Sequence, residues 1–210
     1  MEIDLLPQKA IHLVEARFGS QEGSHDWNHM LRVMHGADQI ARLSEADRTR
    51  TAWIALMHDW EDRKLLPDPR NTLEVLHEFV EKEEAAVIAE EVGRISFSKG
   101  LVPYTLEGRV VSDADRLDAI GAIGIARCFA FGGSRERALW DGVSASSLTS
   151  LGHFWEKLLK LNETLYTDAA RDFSRRRQKF LHEFLLEFSR EWFEFLPRKE
   201  LAGNFDGEFS

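Results

Sequence analysis

Ala52-Trp53-Ile54-Ala55-Leu56-Met57-His58-Asp59-Trp60-Glu61-Asp62 is the stretch on which the reading of this chain turns. Ala52 to Met57 is mostly apolar and predicts a core helix, yet it runs straight into an adjacent imidazole and carboxylate. Burying such a pair is costly unless something positive or hydrogen-bonding receives both groups. A divalent cation does this, because it takes a neutral ring nitrogen and a carboxylate oxygen together. Neighbouring residues on a helix diverge by about 100°, and two side chains can still converge on an ion lying between them. The mixed nitrogen and oxygen set suits Mn, Fe, Zn, Ni or Co and disfavours an all-oxygen calcium site.

Two other helical segments carry side chains of the same kind. Upstream stands Ser24-His25-Asp26-Trp27-Asn28-His29-Met30-Leu31-Arg32-Val33; downstream stands Val111-Ser112-Asp113-Ala114-Asp115-Arg116-Leu117-Asp118-Ala119. A basic pair, Arg63-Lys64, follows the His-Asp corner. Helical spacing dominates almost everywhere and no alternating strand pattern competes with it, so the fold class is all-α. Helices are predicted over Ile3–Phe18, Trp27–Leu43, from Ser44 through Asp62, over 72–80, Glu83–Ile95, Leu106–Phe131, 151–165 and 168–195. Ser24 or Asp26, the box Ser44-Glu45-Ala46-Asp47, Asn71, and Thr167 or Asp168 are the expected caps. Residues 134–150 read as an excursion over the surface. The economical organisation is one domain over 1–195, with a core at about 24–130, a C-terminal helical pair at about 151–195, and a tail over 196–210 that frays.

The chain has 210 residues, 43% of them hydrophobic and 30% charged, which is the composition of a globular protein. Its 36 acidic against 27 basic residues give a net charge of −9, which repels extended nucleic acid at long range. A small phosphate compound remains compatible where a bound cation inverts the local field. The single cysteine, Cys128, excludes an internal disulfide and a cysteine-based zinc site. No apolar run approaches the roughly 18 residues of a membrane span, and Met1-Glu2-Ile3-Asp4 is unlike a secretory signal, so the expected location is cytoplasmic.

Taken together, the His-x-x-Arg-Val context of His29, the later His58-Asp59 pair and the Ala-Asp-Arg-Leu run of residues 114–117 resemble the HD superfamily of metal-dependent phosphohydrolases, in the order of that family. More narrowly, Asp113-Ala-Asp-Arg-Leu-Asp-Ala-Ile-Gly-Ala-Ile-Gly-Ile-Ala-Arg127 and His153-Phe-Trp-Glu-Lys-Leu-Leu-Lys-Leu161 look like a small stand-alone bacterial branch that includes manganese-dependent nucleotide pyrophosphatases. The resemblance implies an HD-type helical bundle with a C-terminal helical extension. It also implies a divalent ion, Mn first and Ni, Co, Fe, Zn or Mg as alternatives, held by His29, His58, Asp59 and Asp115, with Asp113 as the second choice for the last ligand. Asp62, four residues after His58 and on the same helical face, takes the family's role of orienting or deprotonating the attacking water.

Arg32, Lys64 and Arg116 are the nearest cations able to neutralise charge on phosphate oxygens, and His25 is a further phosphate-binding candidate. The implied reaction is hydrolysis of a nucleotide or small phosphate ester, with a nucleoside triphosphate cut to monophosphate and pyrophosphate. Two alternatives stand beside it: a phosphomonoesterase or phosphodiesterase using the same site, and a metal-stabilised regulatory protein without turnover. Trp27 and Trp60 flank the ligands and read as core packing before base stacking. Phe180, Phe184 and Phe188, spaced by four, read as helix core or as the face of a partner helix in a homodimer.

Overall fold

Several helices begin where the sequence supplies a side-chain cap, and they turn their apolar stripes inward. The computed structural model describes residues 5–19, 26–61, 71–95, 100–142 and 148–194. Regular structure among them is helical apart from one isolated bridge between Ala138 and Thr149. The helices are α1 (Gln8–Phe18), α2 (Trp27–Ser44), α3 (Arg48–Met57), α4 (Thr72–Leu76), α5 (Lys82–Ile95), α6 (Leu106–Asp118), α7 (Gly121–Ser134), α8 (Gly152–Glu156) and α9 (Asp168–Glu194), with a 3-10 segment at Leu158–Thr164. No single helix among the described residues is long and apolar enough to cross a membrane.

Capping explains four of these starts. Asp26 receives the backbone N–H of His29 at the head of α2, Asp47 receives those of Thr49 and Arg50 at the head of α3, and Asn71 receives that of Leu73 at the head of α4. The Thr167 hydroxyl accepts from the Ala170 N–H and opens α9. Ser44 and Glu45 play a different part from the one expected: Ser44 ends α2, and Glu45 is its left-handed C-cap with φ 57°. The third helix therefore starts at Arg48. It also stops early, at Met57, leaving His58 to Glu61 in a turn closed by the Trp60 N–H on the Met57 carbonyl at 2.9 Å.

The predicted single helix over Leu106–Phe131 is broken. Helix α6 ends at Asp118, Ile120 is extended, and Gly121 takes φ +75° as the first residue of α7. That backbone conformation is cheap only for glycine. Gly124 is needed for a different reason, since a Cβ there would stand 2.2 Å from the Ala119 carbonyl oxygen.

The chain divides into two compact units, Met1–Asp118 with Leu165–Asp172, and Ala119–Thr164 with Phe173–Ser210. In the first, α3 and α6 are the central elements, each packed on α2 and on α5. Trp53 to Met57 are all buried, as a helix covered on every side requires. The inward stripe of α2 comprises His29, Met30, Val33, Ala37, Ile40 and Ala41. Nearly all of α6 is interior, including Glu107, Asp113, Arg116 and Asp118. In the second unit, Phe129, Trp140, Phe154, Phe184, Phe188 and Trp192 form a chain of ring contacts with centroids 5.5–6.2 Å apart. Phe184 and Phe188 belong to this core, whereas Phe180 is exposed.

Candidate metal centre

Three segments of the first unit bring imidazole and carboxylate groups together. The Asp26 cap places His29 in the first turn of α2 on its buried face, with no solvent exposure. The turn after α3 presents His58 and Asp59, and α6 presents Asp115. His29 Nε2 lies 3.3 Å from His58 Nε2, 3.5 Å from Asp59 Oδ2 and 3.7 Å from Asp115 Oδ1. His58 Nε2 is also 3.5 Å from Asp59 Oδ2.

The other ring nitrogens decide what these distances mean. His58 Nδ1 lies 2.8 Å from the Ala55 carbonyl, and His29 Nδ1 lies 2.8 Å from Asp118 Oδ2. Both partners only accept, so in the neutral rings both Nδ1 atoms carry the hydrogen and donate it. The two Nε2 atoms then face each other as lone pairs, beside two carboxylates that add negative charge. The 3.3 Å approach is not a hydrogen bond between neutral rings. Such a cluster is repulsive by itself and is satisfied by a cation. Atoms bound to one ion at about 2.0–2.2 Å and about 90–110° apart lie roughly 2.8–3.6 Å from each other, close to the 3.3–3.7 Å found here. His29, His58 and Asp115 thus form a group able to hold a divalent metal ion.

The floor of the centre is dry and its rim is not. The imidazoles of His29 and His58 are essentially inaccessible, whereas the Asp59 and Asp115 side chains keep 17% and 28% of their exposure, so the centre opens to solvent past the carboxylates.

Asp113 and Asp115 stand in different surroundings on α6. Residues two positions apart on a helix differ by about 200° in direction, so the two carboxylates of α6 do not share a face. Asp113 is fully buried and accepts from the Tyr166 N–H, the Thr167 N–H and the Thr167 hydroxyl, each at 2.8 Å. It fastens the start of α9 to α6. Burial pushes its pKa up, against those three hydrogen bonds and the nearby Arg116 charge.

The expected substrate contacts that are described have protein partners. The Arg116 guanidinium is buried, lies 4.7 Å from the centroid of the Tyr166 ring and has Nη1 3.9 Å from Asp113. Arg32 donates from Nε to Asp118 Oδ1 at 2.7 Å and from Nη2 to Asp118 Oδ2 at 3.1 Å. Its hydrogen bond to Asp118 holds the guanidinium above its ordinary pKa, with burial opposing and the Asp118 charge adding. Trp60 is buried under the Arg17 guanidinium, 4.0 Å from the ring centroid, which leaves no face for a base. Glu61 caps α4 by accepting the Thr72 N–H at 2.7 Å. His25, Asp62 and Lys64 lie outside the described residues.

Asp118 was not singled out from sequence. Buried at the end of α6, it lies behind His29 and between His29 and Arg32. Its available signal was register: it follows Asp115 by three residues, on the same helical face.

The HD domain profile matches residues 26–120, the span that holds His29, Arg32, His58, Asp59, Asp115 and Asp118. The protein YpgQ of Bacillus subtilis is 34% identical over 193 residues, covering 88% of this chain and 90% of YpgQ. The crystal structure of YpgQ in complex with ADP superposes with a TM-score of 0.75 at 31% identity, covering 88% of this chain and 93% of that one. An HD-superfamily hydrolase from Bacillus thuringiensis superposes with a TM-score of 0.71 at 33% identity, covering 88% of this chain and 95% of that one.

Proposed function

This chain belongs to the HD superfamily, and we propose that it is a metal-dependent phosphohydrolase that cuts a nucleoside triphosphate to monophosphate and pyrophosphate. The observation that carries the proposal is the convergence of two imidazole lone pairs and two carboxylates, with both Nδ1 hydrogens committed elsewhere. His29, His58, Asp59 and Asp115 are the ligands in this reading. A divalent cation held there, with Mn first among the candidates, supplies a Lewis acid for a phosphoryl oxygen and lowers the pKa of water by several units. The ADP bound by YpgQ supports a nucleotide as the ligand class.

The remaining steps fall to the chain's own side chains. Asp62, four residues beyond His58, accepts the proton of the attacking water. Lys64 and His25 are assigned to the phosphate oxygens in this reading, which gives Arg116, packed on Tyr166, and Arg32, held on Asp118, no contact with them. Exposure of Asp59 and Asp115 on the rim gives the phosphate chain its way in, while the buried imidazoles keep the far side closed.

The test is a screen of deoxynucleoside triphosphates with Mn²⁺ or Co²⁺, measuring pyrophosphate and orthophosphate separately. Pyrophosphate release is expected, and Asp62→Asn should slow it by roughly 10²–10⁴-fold while metal content is unchanged. His58→Ala and Asp59→Ala should lose bound metal and keep their helix content by circular dichroism. Orthophosphate alone would make the enzyme a phosphomonoesterase, and no turnover despite bound metal would make the chain a regulatory protein.

A further inference from the structure

His29 can serve a cation through Nε2 only if its hydrogen stays on Nδ1, and its surroundings pull the other way. Asp59 Oδ2 at 3.5 Å and Asp115 Oδ1 at 3.7 Å both invite a hydrogen onto Nε2. A ring protonated there would donate to its own neighbouring carboxylates and would offer no lone pair. What opposes this is Asp118, at 2.8 Å from Nδ1 and with 7% side-chain exposure. Its carboxylate does not swing freely, because Arg32 grips Oδ1 through Nε and Oδ2 through Nη2. Arg32 stands three residues after His29 on α2, so one helix supplies both the ring and the clamp on its partner.

We propose that Asp118, clamped by Arg32, is the positioning residue that selects the Nδ1-protonated tautomer of His29 and thereby sets the affinity of the centre for its cation. The proposal rests on the metal-centre reading above and assigns work to two residues which that reading leaves without a chemical task. It has a specific structural consequence. In Asp118→Asn the Arg32 Nε–H requires an acceptor, so the amide oxygen turns toward Arg32 and the NH₂ group faces His29. The ring must then accept at Nδ1 and carry its hydrogen on Nε2, the tautomer that cannot bind.

Two measurements test this, neither of which uses turnover. In the metal-free chain, long-range ¹H–¹⁵N correlation of the histidine rings, with His29 assigned by its loss in His29→Gln, should show hydrogen on Nδ1 in the wild type and on Nε2 in Asp118→Asn. Calorimetric titration with Mn²⁺ alone should show binding weakened by about 10–100-fold in Asp118→Asn, and weakened also in Arg32→Gln without any nucleotide present. A wild-type His29 carrying its hydrogen on Nε2 overturns the proposal whether or not the variants fold. So does unchanged Mn²⁺ affinity in a folded Asp118→Asn. Unchanged affinity in Arg32→Gln would reduce Arg32 to a phosphate contact and break the clamp. A wild-type chain that takes up no Mn²⁺ would instead remove the metal-centre reading, a distinct failure because the tautomer is read without metal.

Discussion

Asp113→Ala and Asp115→Ala should fail in opposite ways, although the two residues lie one position apart from being neighbours on α6. Asp113 receives three hydrogen bonds at 2.8 Å, two from backbone N–H groups and one from the Thr167 hydroxyl. A hydrogen bond to a charged acceptor is worth about 1.5–3 kcal/mol, so the three together amount to roughly 4–9 kcal/mol gross. Against this stands the cost of holding a carboxylate with no solvent exposure, its nearest cation being Arg116 Nη1 at 3.9 Å. Removing the side chain relieves that cost but strands the Thr167 N–H in the interior. The net loss should be that of a broken buried charge cluster, about 3–5 kcal/mol. For a chain of this length that lowers Tm by about 6–20 °C. At a temperature where the variant is still folded, its metal content by elemental analysis should equal the wild type's. Asp115→Ala, whose side chain is 28% exposed, should melt near the wild type and lose metal. If Asp113→Ala melted within about 2 °C of the wild type, or lost metal while Asp115→Ala kept it, the division of labour on α6 would be wrong.

Two further predictions concern the second unit. Gly121→Ala places a Cβ at φ +75° and 3.1 Å from Arg177 Cβ and Cγ. The left-handed conformation costs about 1–2 kcal/mol, or about 2–8 °C in Tm. Gly133→Ala in the same helix meets nothing within 4 Å and should keep or raise Tm; equal melting of the two variants would refute the assigned strain. Burial, opposed by the Arg137 charge, pushes the Cys128 thiol from 9.0 up to about 11. At pH 8 that two-unit rise leaves about 100-fold less thiolate. Iodoacetamide should therefore modify the native chain at least about 100-fold more slowly than the urea-unfolded one, with the rate climbing towards pH 11. Native alkylation within about tenfold of the unfolded rate would place the thiol at the surface.

The parts legible in sequence are those whose chemistry is out of place locally. An imidazole and a carboxylate closing an apolar helix mark the His58–Asp59 corner, and a lone Asp or Asn before a periodic run marks the caps at Asp26 and Asn71. The break before Gly121 was hidden because apolar spacing continues through Ile120 and Ile123, and a glycine's φ is invisible until the backbone is seen. Asp118 was hidden differently: its partners on α2 are 86 and 89 residues away, so no local pattern marks it. Yet α2 carries His29 and Arg32 three residues apart, and α6 carries Asp115 and Asp118 at the same interval. Three residues is one helical face, and with His29 and Asp115 brought to one point the next turns of α2 and α6 set Arg32 against Asp118. The arginine, its side chain 36% exposed, and the buried aspartate then stand opposite one another and satisfy each other's charge. Arg32 is therefore more economically matched to Asp118 than to a substrate that comes and goes, and its two-point contact carries that argument.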